Sequence, residues 1–130
     1  MVIDTSALLA IVLDEPECDL FLTTIDAASY RLLSAASLLE ARIVLQHRHG
    51  DVAVQMLDSF IYRAQIEVRE VTVEQADLAF IAHRRFGKGV HPAGLNFGDC
   101  FSYALARSTG EPLLYKGDDF ATTDIASVTP

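Results

Sequence analysis

The chain has 130 residues, 51% of them apolar, with 10 basic and 18 acidic side chains and a formal net charge of −8. That length suits one ordinary core and the apolar share can fill it, which excludes a mainly disordered chain; two cysteines, Cys18 and Cys100, exclude a disulfide scaffold. No apolar run reaches the roughly 20 residues of a membrane span, no basic leader precedes the first apolar stretch, and the charge excludes holding nucleic acid by bulk positive charge, so a reduced cytoplasmic setting with no membrane contact is expected.

In chain order, Met1-Val2-Ile3 reads as a short strand ending at Asp4. Thr5 and Ser6 are turn or cap residues before a short helix over Ala7 to Leu13. Pro16 suits the first turn of a helix running toward Asp26. Arg31 to Ala35 reads as a buried strand. Ser37-Leu38-Leu39-Glu40 matches a capping box, opening a helix that Gly50 ends after His49. Asp51 is the expected cap of the next helix, whose apolar positions Val54, Leu57, Phe60 and Ile61 keep the helical period toward Ala64.

Ile66 to Val71 alternates apolar and charged residues, the pattern of a half-buried strand. Thr72-Val73-Glu74-Gln75 is a second capping box, and its helix runs through Leu78, Ile81 and Ala82 to Arg85. Phe86 to Leu95 carries three glycines and a proline and reads as a loop. Phe97 to Ser108 is helical, stopped by Gly110 and Pro112. Leu113 to Tyr115 is a strand, Lys116 to Phe120 a turn, and the last residues a small edge strand. Strands and helices alternate without repeats or a dividing linker. The expected fold is α/β, a single domain over residues 1–130 with a central, mainly parallel sheet flanked by helices.

Ligand sites in such sheets lie beyond the carboxyl ends of the strands. Asp4, Glu40, Asp99 and the pair Asp118-Asp119 all fall in such places. Each acid has an ordinary explanation: Glu40 in a capping box, Asp99 in a first helical turn favoured by the helix dipole, Asp118-Asp119 in a turn. Asp4 is the hardest to explain away, because an acid inside an apolar stretch is partly buried and needs a partner or a metal. Converging carboxylates repel, and a hard divalent cation removes the repulsion. Such an ion can activate water and stabilise a phosphate oxyanion. A zinc site is not supported: the cysteines are far apart, no HExxH or CxxC occurs, and His47 and His49 do not share a helix face.

Four blocks carry a family resemblance: Val2-Ile3-Asp4-Thr5-Ser6-Ala7-Leu8, Ser34-Ala35-Ala36-Ser37-Leu38-Leu39-Glu40-Ala41, Leu95-Asn96-Phe97-Gly98-Asp99-Cys100-Phe101 and Lys116-Gly117-Asp118-Asp119-Phe120. In this order and at these spacings they resemble the acid-bearing blocks of PIN-domain proteins, and more narrowly the VapC toxins of bacterial type II toxin–antitoxin systems. The resemblance implies an endoribonuclease dependent on Mg²⁺ or Mn²⁺, neutralised by a cognate VapB antitoxin and homodimeric. It implies catalytic roles for Asp4, Glu40, Asp99 and Asp119. Asp4 and Asp99 would hold the metal directly, and Asp119 directly or through water. Glu40 would bind the ion through water or act as general base. Ser6 matches a hydroxyl residue that supports the first acid, and Asp118 is the alternative fourth acid.

RNA contacts need positive charge, and the basic residues concentrate in His83 to His91. Arg84, Arg85 and Lys88 are the candidates there, with a solvated helix end as the ordinary explanation. Lys116, beside the acidic turn, is placed either on phosphate or on an acid. The helices around Val12 to Leu22 and Ile43 to Ile61 carry more apolar residues than one core face requires, and a remaining patch would suit dimerisation or an antitoxin helix. Two other readings compete. A receiver-type phosphoacceptor domain also places acids at strand ends and a lysine after the last strand. A catalytically inactive PIN-like interaction module would have lost one acid, and none is lost.

Overall fold

The structure is a computed structural model and describes residues 1–128. Its elements are β1 (Val2–Ile3), α1 (Thr5–Val12), α2 (Cys18–Ala27), β2 (Leu32–Ser34), α3 (Ala35–His49), α4 (Asp51–Arg63), β3 (Glu67–Arg69), α5 (Val73–Phe86), α6 (Phe97–Thr109) and β4 (Leu113–Leu114). The strands form one parallel sheet in the order β3-β2-β1-β4. The chain builds outward from β1 through β2 to β3, then returns to the other side of β1 for β4. That reversal opens a crevice at the carboxyl ends of β1 and β4, the place where open parallel sheets bind ligands.

The two-residue period of a strand divides the core. Val2, Leu32 and Leu113 join Ala82, Tyr103 and Leu105 of α5 and α6 on one side of the sheet. Ile3, Leu33 and Leu114 join Leu8, Phe21, Ile25, Leu45 and Leu57 of α1 to α4 on the other. Helices cover both faces, so these strands read as apolar pairs with no polar alternation. None of their six apolar residues is more than 4% exposed. Among the described residues, no helix is long and apolar enough to cross a membrane.

Several local expectations change. The helix expected at Ser37 begins at Ala35, because β2 passes into it with no connecting residue. Ser34 is its cap, accepting from the Ala36 N–H at 3.3 Å. Ser37 lies inside the helix, fully buried, so Ser37 and Glu40 do not form a capping box. Gly50, at φ +78°, both ends α3 and caps α4, a left-handed turn that suits glycine. Asp51 is the first helical residue and not the cap. Pro16 stands before α2 and not in its first turn. β3 is an edge strand exposed along its length, with Ile66 just before it buried, so the expected half-burial is limited to that residue. Thr72 caps α5 as expected, accepting from the Gln75 N–H at 3.1 Å. The expected edge strand near the chain end is a single parallel bridge of Ser127 to Leu113, while Thr129 and Pro130 lie outside the described residues.

Leu33 sits in β2, fully buried between β1 and β3. Leu33→Ala is expected to lower the unfolding free energy by about 2–5 kcal/mol, the range for a Leu-to-Ala cavity in a packed core. Urea denaturation checks this as a lower midpoint with an unchanged slope.

Candidate active site

Asp4 terminates β1 at the centre of the sheet and is 3% exposed. Its Oδ2 accepts from the Ser6 N–H at 2.9 Å and the Ser6 hydroxyl at 2.6 Å, so it also caps α1. Its Oδ1 accepts from the Ser102 hydroxyl at 2.6 Å. Ser102 lies 3.2 Å from the Ser37 hydroxyl, and both serines are fully buried. On the other side, the Lys116 N–H donates to Ser6 Oγ at 2.9 Å. β1, α1, α3, α6 and the segment after β4 therefore meet around one carboxylate.

Glu40 projects from the second turn of α3 and is partly buried. The Thr5 hydroxyl donates to its Oε2 at 2.9 Å. Burial raises its pKa, the Thr5 hydroxyl bond opposes that, and the Asp4 charge adds to the rise. Gly98 in the first turn of α6 is pressed against this carboxylate. A Cβ there would fall 2.4 Å from Glu40 Oε2 and 2.5 Å from Oε1. Only a residue without a side chain lets the amino end of α6 approach Glu40 so closely.

Asp99 follows one residue later. Asn96 and Asp99 form a reciprocal capping box: the Asp99 N–H donates to Asn96 Oδ1, and the Asn96 N–H to Asp99 Oδ2, each at 2.9 Å. Burial pushes the Asp99 carboxyl up from the usual 3.8 to about 7; the Asn96 N–H opposes this, and the charges of Asp4, Asp119 and Glu40 reinforce it. Acids up to 95 residues away in sequence thus act on Asp99, beyond the carboxyl ends of the strands. The charge of Asp119 reaches Asp99. Asp118 and Asp119 lie exposed in the turn after Gly117, whose φ of +94° suits glycine.

The basic candidates stand differently. The Lys116 ammonium forms ion pairs with Glu15 at 2.6 Å and Glu17 at 2.9 Å. Of its two expected placements, the pairing with acids is the one present. Arg85 pairs with Asp124 at 2.9 Å. Arg84 lies over the Phe80 ring at 5.9 Å. Arg84 and Lys88 are exposed and form no ion pair among the described residues. A hollow of about 580 Å³ lined by Leu39, Glu40, Ile43, Asn96, Phe97 and Gly98 opens beside the acids.

The donor set is hard oxygen, which suits Mg²⁺ or Mn²⁺ and not a soft metal. Among the described residues, no three His, Cys, Asp or Glu side chains form a ready metal-ligating group. The carboxylates are instead turned onto protein donors, as the bonds from Ser6, Ser102, Thr5 and Asn96 show. The observation that fits a cation is a hard-oxygen carboxylate at Asp99 that is penalised first by burial and further by the charges of Asp4, Asp119 and Glu40, a penalty a positive ion would relieve. Thr5, Ser37, Asn96 and Ser102 were not identified as site residues by sequence. Ser102 carried one signal: it stands three residues after Asp99, on the same helix face.

The family profile described as PIN domain matches residues 1–126. The chain is 50% identical over 128 residues to ribonuclease VapC30 of Mycobacterium tuberculosis (strain ATCC 25618 / H37Rv), covering 98% of each protein. It is also 50% identical over 128 residues to ribonuclease VapC of Mycolicibacterium smegmatis (strain ATCC 700084 / mc(2)155), covering 98% of this chain and 99% of that one. Among solved structures, the fold is similar to Mycobacterium tuberculosis VapC20, a Sarcin-Ricin loop cleaving toxin, with a TM-score of 0.80 at 20% identity over 99% of this chain and 98% of that one. A toxin–antitoxin complex from Klebsiella pneumoniae matches with a TM-score of 0.73 at 16% identity, covering 99% of this chain and 96% of that chain.

The raised Asp99 pKa makes a sign prediction. The folded state holds the Asp99 proton more tightly than the unfolded chain, so this carboxyl lowers stability progressively as pH rises from about 4 to about 7, and fully above that. Metal-free protein is expected to lose melting temperature across that window. Asp99→Asn keeps an oxygen for the Asn96 N–H but carries no charge, so its melting temperature above pH 7 is expected to equal or exceed that of the unmodified protein. Thermal melts at pH 5 and pH 8, with chelator, check both. A variant that is destabilised at both pH values would make Asp99 a cap and nothing more.

Proposed function

The chain belongs to the PIN-domain family, among its VapC toxin ribonucleases, and on that footing we propose that Asp4, Glu40, Asp99 and Asp119 form a divalent-metal-dependent endoribonuclease site. The observation that carries this is that the charges of three acids, Asp4, Asp119 and Glu40, act on a buried Asp99 beyond the carboxyl ends of β1 and β4. Asp4, Asp99 and Asp119 would hold the ion. A cation there would supply a nucleophilic water and neutralise charge developing on a phosphate oxygen. Glu40, partly buried and raised in pKa, orients the attacking water and accepts its proton. Ser6 and Ser102 hold Asp4, and Thr5 holds Glu40. Asp119, not Asp118, is the fourth acid in this reading.

We assign Arg84 and Lys88 to the RNA backbone, because they make no ion pairs among the described residues and project from the end of α5 and the loop after it. Arg85 and Lys116 are engaged by Asp124 and by Glu15 and Glu17, and would have to leave them to touch phosphate. A VapB-type antitoxin is the protein partner. A hollow of about 700 Å³ between α1, α2 and α4, lined by Ile11, Val12, Leu22, Val52, Met56 and Phe60, supports an apolar antitoxin helix as its occupant. A homodimer is the expected assembly, supported by exposed Leu39, Ile43, Phe80 and Phe97 on α3, α5 and α6. The whole chain would work as one PIN domain in the cytosol, where its RNA lies. The receiver-type alternative fares poorly, because a phosphoacceptor must be reached by its donor and Asp4 is 3% exposed with both oxygens bonded.

Purified chain is expected to cleave RNA with Mg²⁺ or Mn²⁺, to stop with EDTA, and to be silenced by its antitoxin. Asp4→Asn and Asp119→Asn should each lower the cleavage rate by about 100-fold or more, the scale of losing one electrostatic stabiliser of a transition state. Asp118→Asn should retain most of the rate; the reverse order for the two neighbours would assign the fourth acid to Asp118. Gly98→Ala gives an independent check. The added Cβ meets only the far end of the Glu40 side chain, which can swing aside, so the fold should survive while cleavage falls with the displaced carboxylate. Circular dichroism and a cleavage time course separate the two effects.

A further inference from the structure

Ser37 and Ser102 pose a problem of burial. Both are fully buried where α3 packs on α6, and alanine would fill either place without the cost of a buried hydroxyl. Their only side-chain hydrogen bonds among the described residues are with each other and with Asp4. A serine hydroxyl has one hydrogen to give. The 2.6 Å contact of Ser102 with a carboxylate oxygen takes that hydrogen, so the Ser37 hydroxyl must donate to Ser102 across their 3.2 Å contact. The direction of the whole chain follows: Ser37 to Ser102 to Asp4 Oδ1.

A matching chain reaches the other oxygen. The Lys116 N–H donates to Ser6 Oγ, and the Ser6 hydroxyl donates to Asp4 Oδ2. Oδ2 also accepts from the Ser6 N–H, whereas among the described residues Oδ1 has Ser102 alone. Oδ1 is therefore the oxygen with capacity left for a cation, and Ser102 is the one side chain that fixes where that capacity points.

We propose that Ser37 and Ser102 form a buried, one-directional hydroxyl relay that orients Asp4 Oδ1 toward the metal, which makes Ser102 a positioning residue for metal binding and Ser37 its support. The inference rests on the metal-dependent reading of the site. Without Ser102, the Asp4 carboxylate can turn about its last bond while Ser6 still holds Oδ2. Without Ser37, Ser102 still donates but is free to choose another rotamer.

The test measures Mn²⁺ affinity by electron paramagnetic resonance, and RNA cleavage as a function of Mn²⁺ concentration, for Ser102→Ala, Ser37→Ala and the double variant. Ser102→Ala is expected to bind Mn²⁺ about 10–100-fold more weakly, the usual cost of losing a group that orients a metal ligand. Its cleavage should recover toward the unmodified rate at saturating Mn²⁺, which a general packing defect would not do. Ser37→Ala should lose less. The double variant should be no weaker than Ser102→Ala, because the two act in series; independent roles would add. Affinity unchanged in Ser102→Ala, or additive losses in the double variant, would overturn the relay. Should Ser102→Ala fail to fold, Ser37→Ala decides: a loss confined to Mn²⁺ affinity upholds the relay, and unchanged affinity overturns it. If the unmodified chain binds no Mn²⁺, the metal-dependent reading itself fails, an outcome distinct from these.

Discussion

A carboxylate at the centre of a parallel sheet is the constraint around which this molecule is arranged. Asp4 ends the strand that β2 and β4 flank, and 3% exposure gives water almost no share in satisfying it. An unsatisfied carboxylate in such a place is costly, so the protein must bring donors to it. They come from α1 through Ser6, from α6 through Ser102, and indirectly from the segment after β4 through the Lys116 N–H. Elements distant in sequence are thereby tied to one atom pair. The strand order supplies the place: the chain reverses its direction of growth beside β1, and the loops that follow β1 and β4 open on the same crevice.

The same arrangement explains how a chain of net charge −8 can address a polyanion. The acids that make the edge repel phosphate as they stand, and a cation inverts the local sign. In the proposed metal-dependent site, positive charge would be delivered by the ion, and the fold would need few basic side chains to do so. Six of the ten it has are already engaged: Arg31 with Asp26, Arg42 with Asp58, Arg69 with Glu67, Arg85 and Arg107 with Asp124, Lys116 with Glu15 and Glu17. Substrate attraction is concentrated at the edge of the sheet and not spread over the surface.

The fold was legible in sequence, for identifiable reasons. Alternating strands and helices declared a parallel sheet, and Asp4 stood out as an acid directly after an apolar strand. Other features were hidden by degeneracy. Ser34 and Ser37 are both hydroxyls at a strand-to-helix junction, and only the absence of a connecting residue decides that Ser34 is the cap. A buried serine on a helix looks like any small residue, so Ser102 stayed unseen until α3 and β1 were brought to it. Asp118 and Asp119 are neighbours in one exposed turn after Gly117, so spacing alone does not separate them. Glycine 98 signals nothing by its spacing; its reason is the Glu40 carboxylate, distant in sequence and pressed against it.

Asp99 shows why reading a residue as either cap or ligand divides what the geometry unites. One oxygen, Oδ2, accepts from the Asn96 N–H and completes the capping box. That bond leaves Oδ1 outside the capping box. The cap fixes the side chain's rotamer at the start of α6, and the other charges meet it in that fixed position. The helix start is therefore the device that aims the acid. The cap stabilises the helix, while burial and the repulsion of Asp4, Asp119 and Glu40 work against the charge that the same residue carries. Stability contributed by one oxygen holds the carboxylate in a place where its charge is unfavourable, a penalty that the proposed cation would relieve. A fold that violates a local electrostatic rule at a strand-end crevice, and compensates for it with caps and hydroxyl donors, marks its functional site by that conflict.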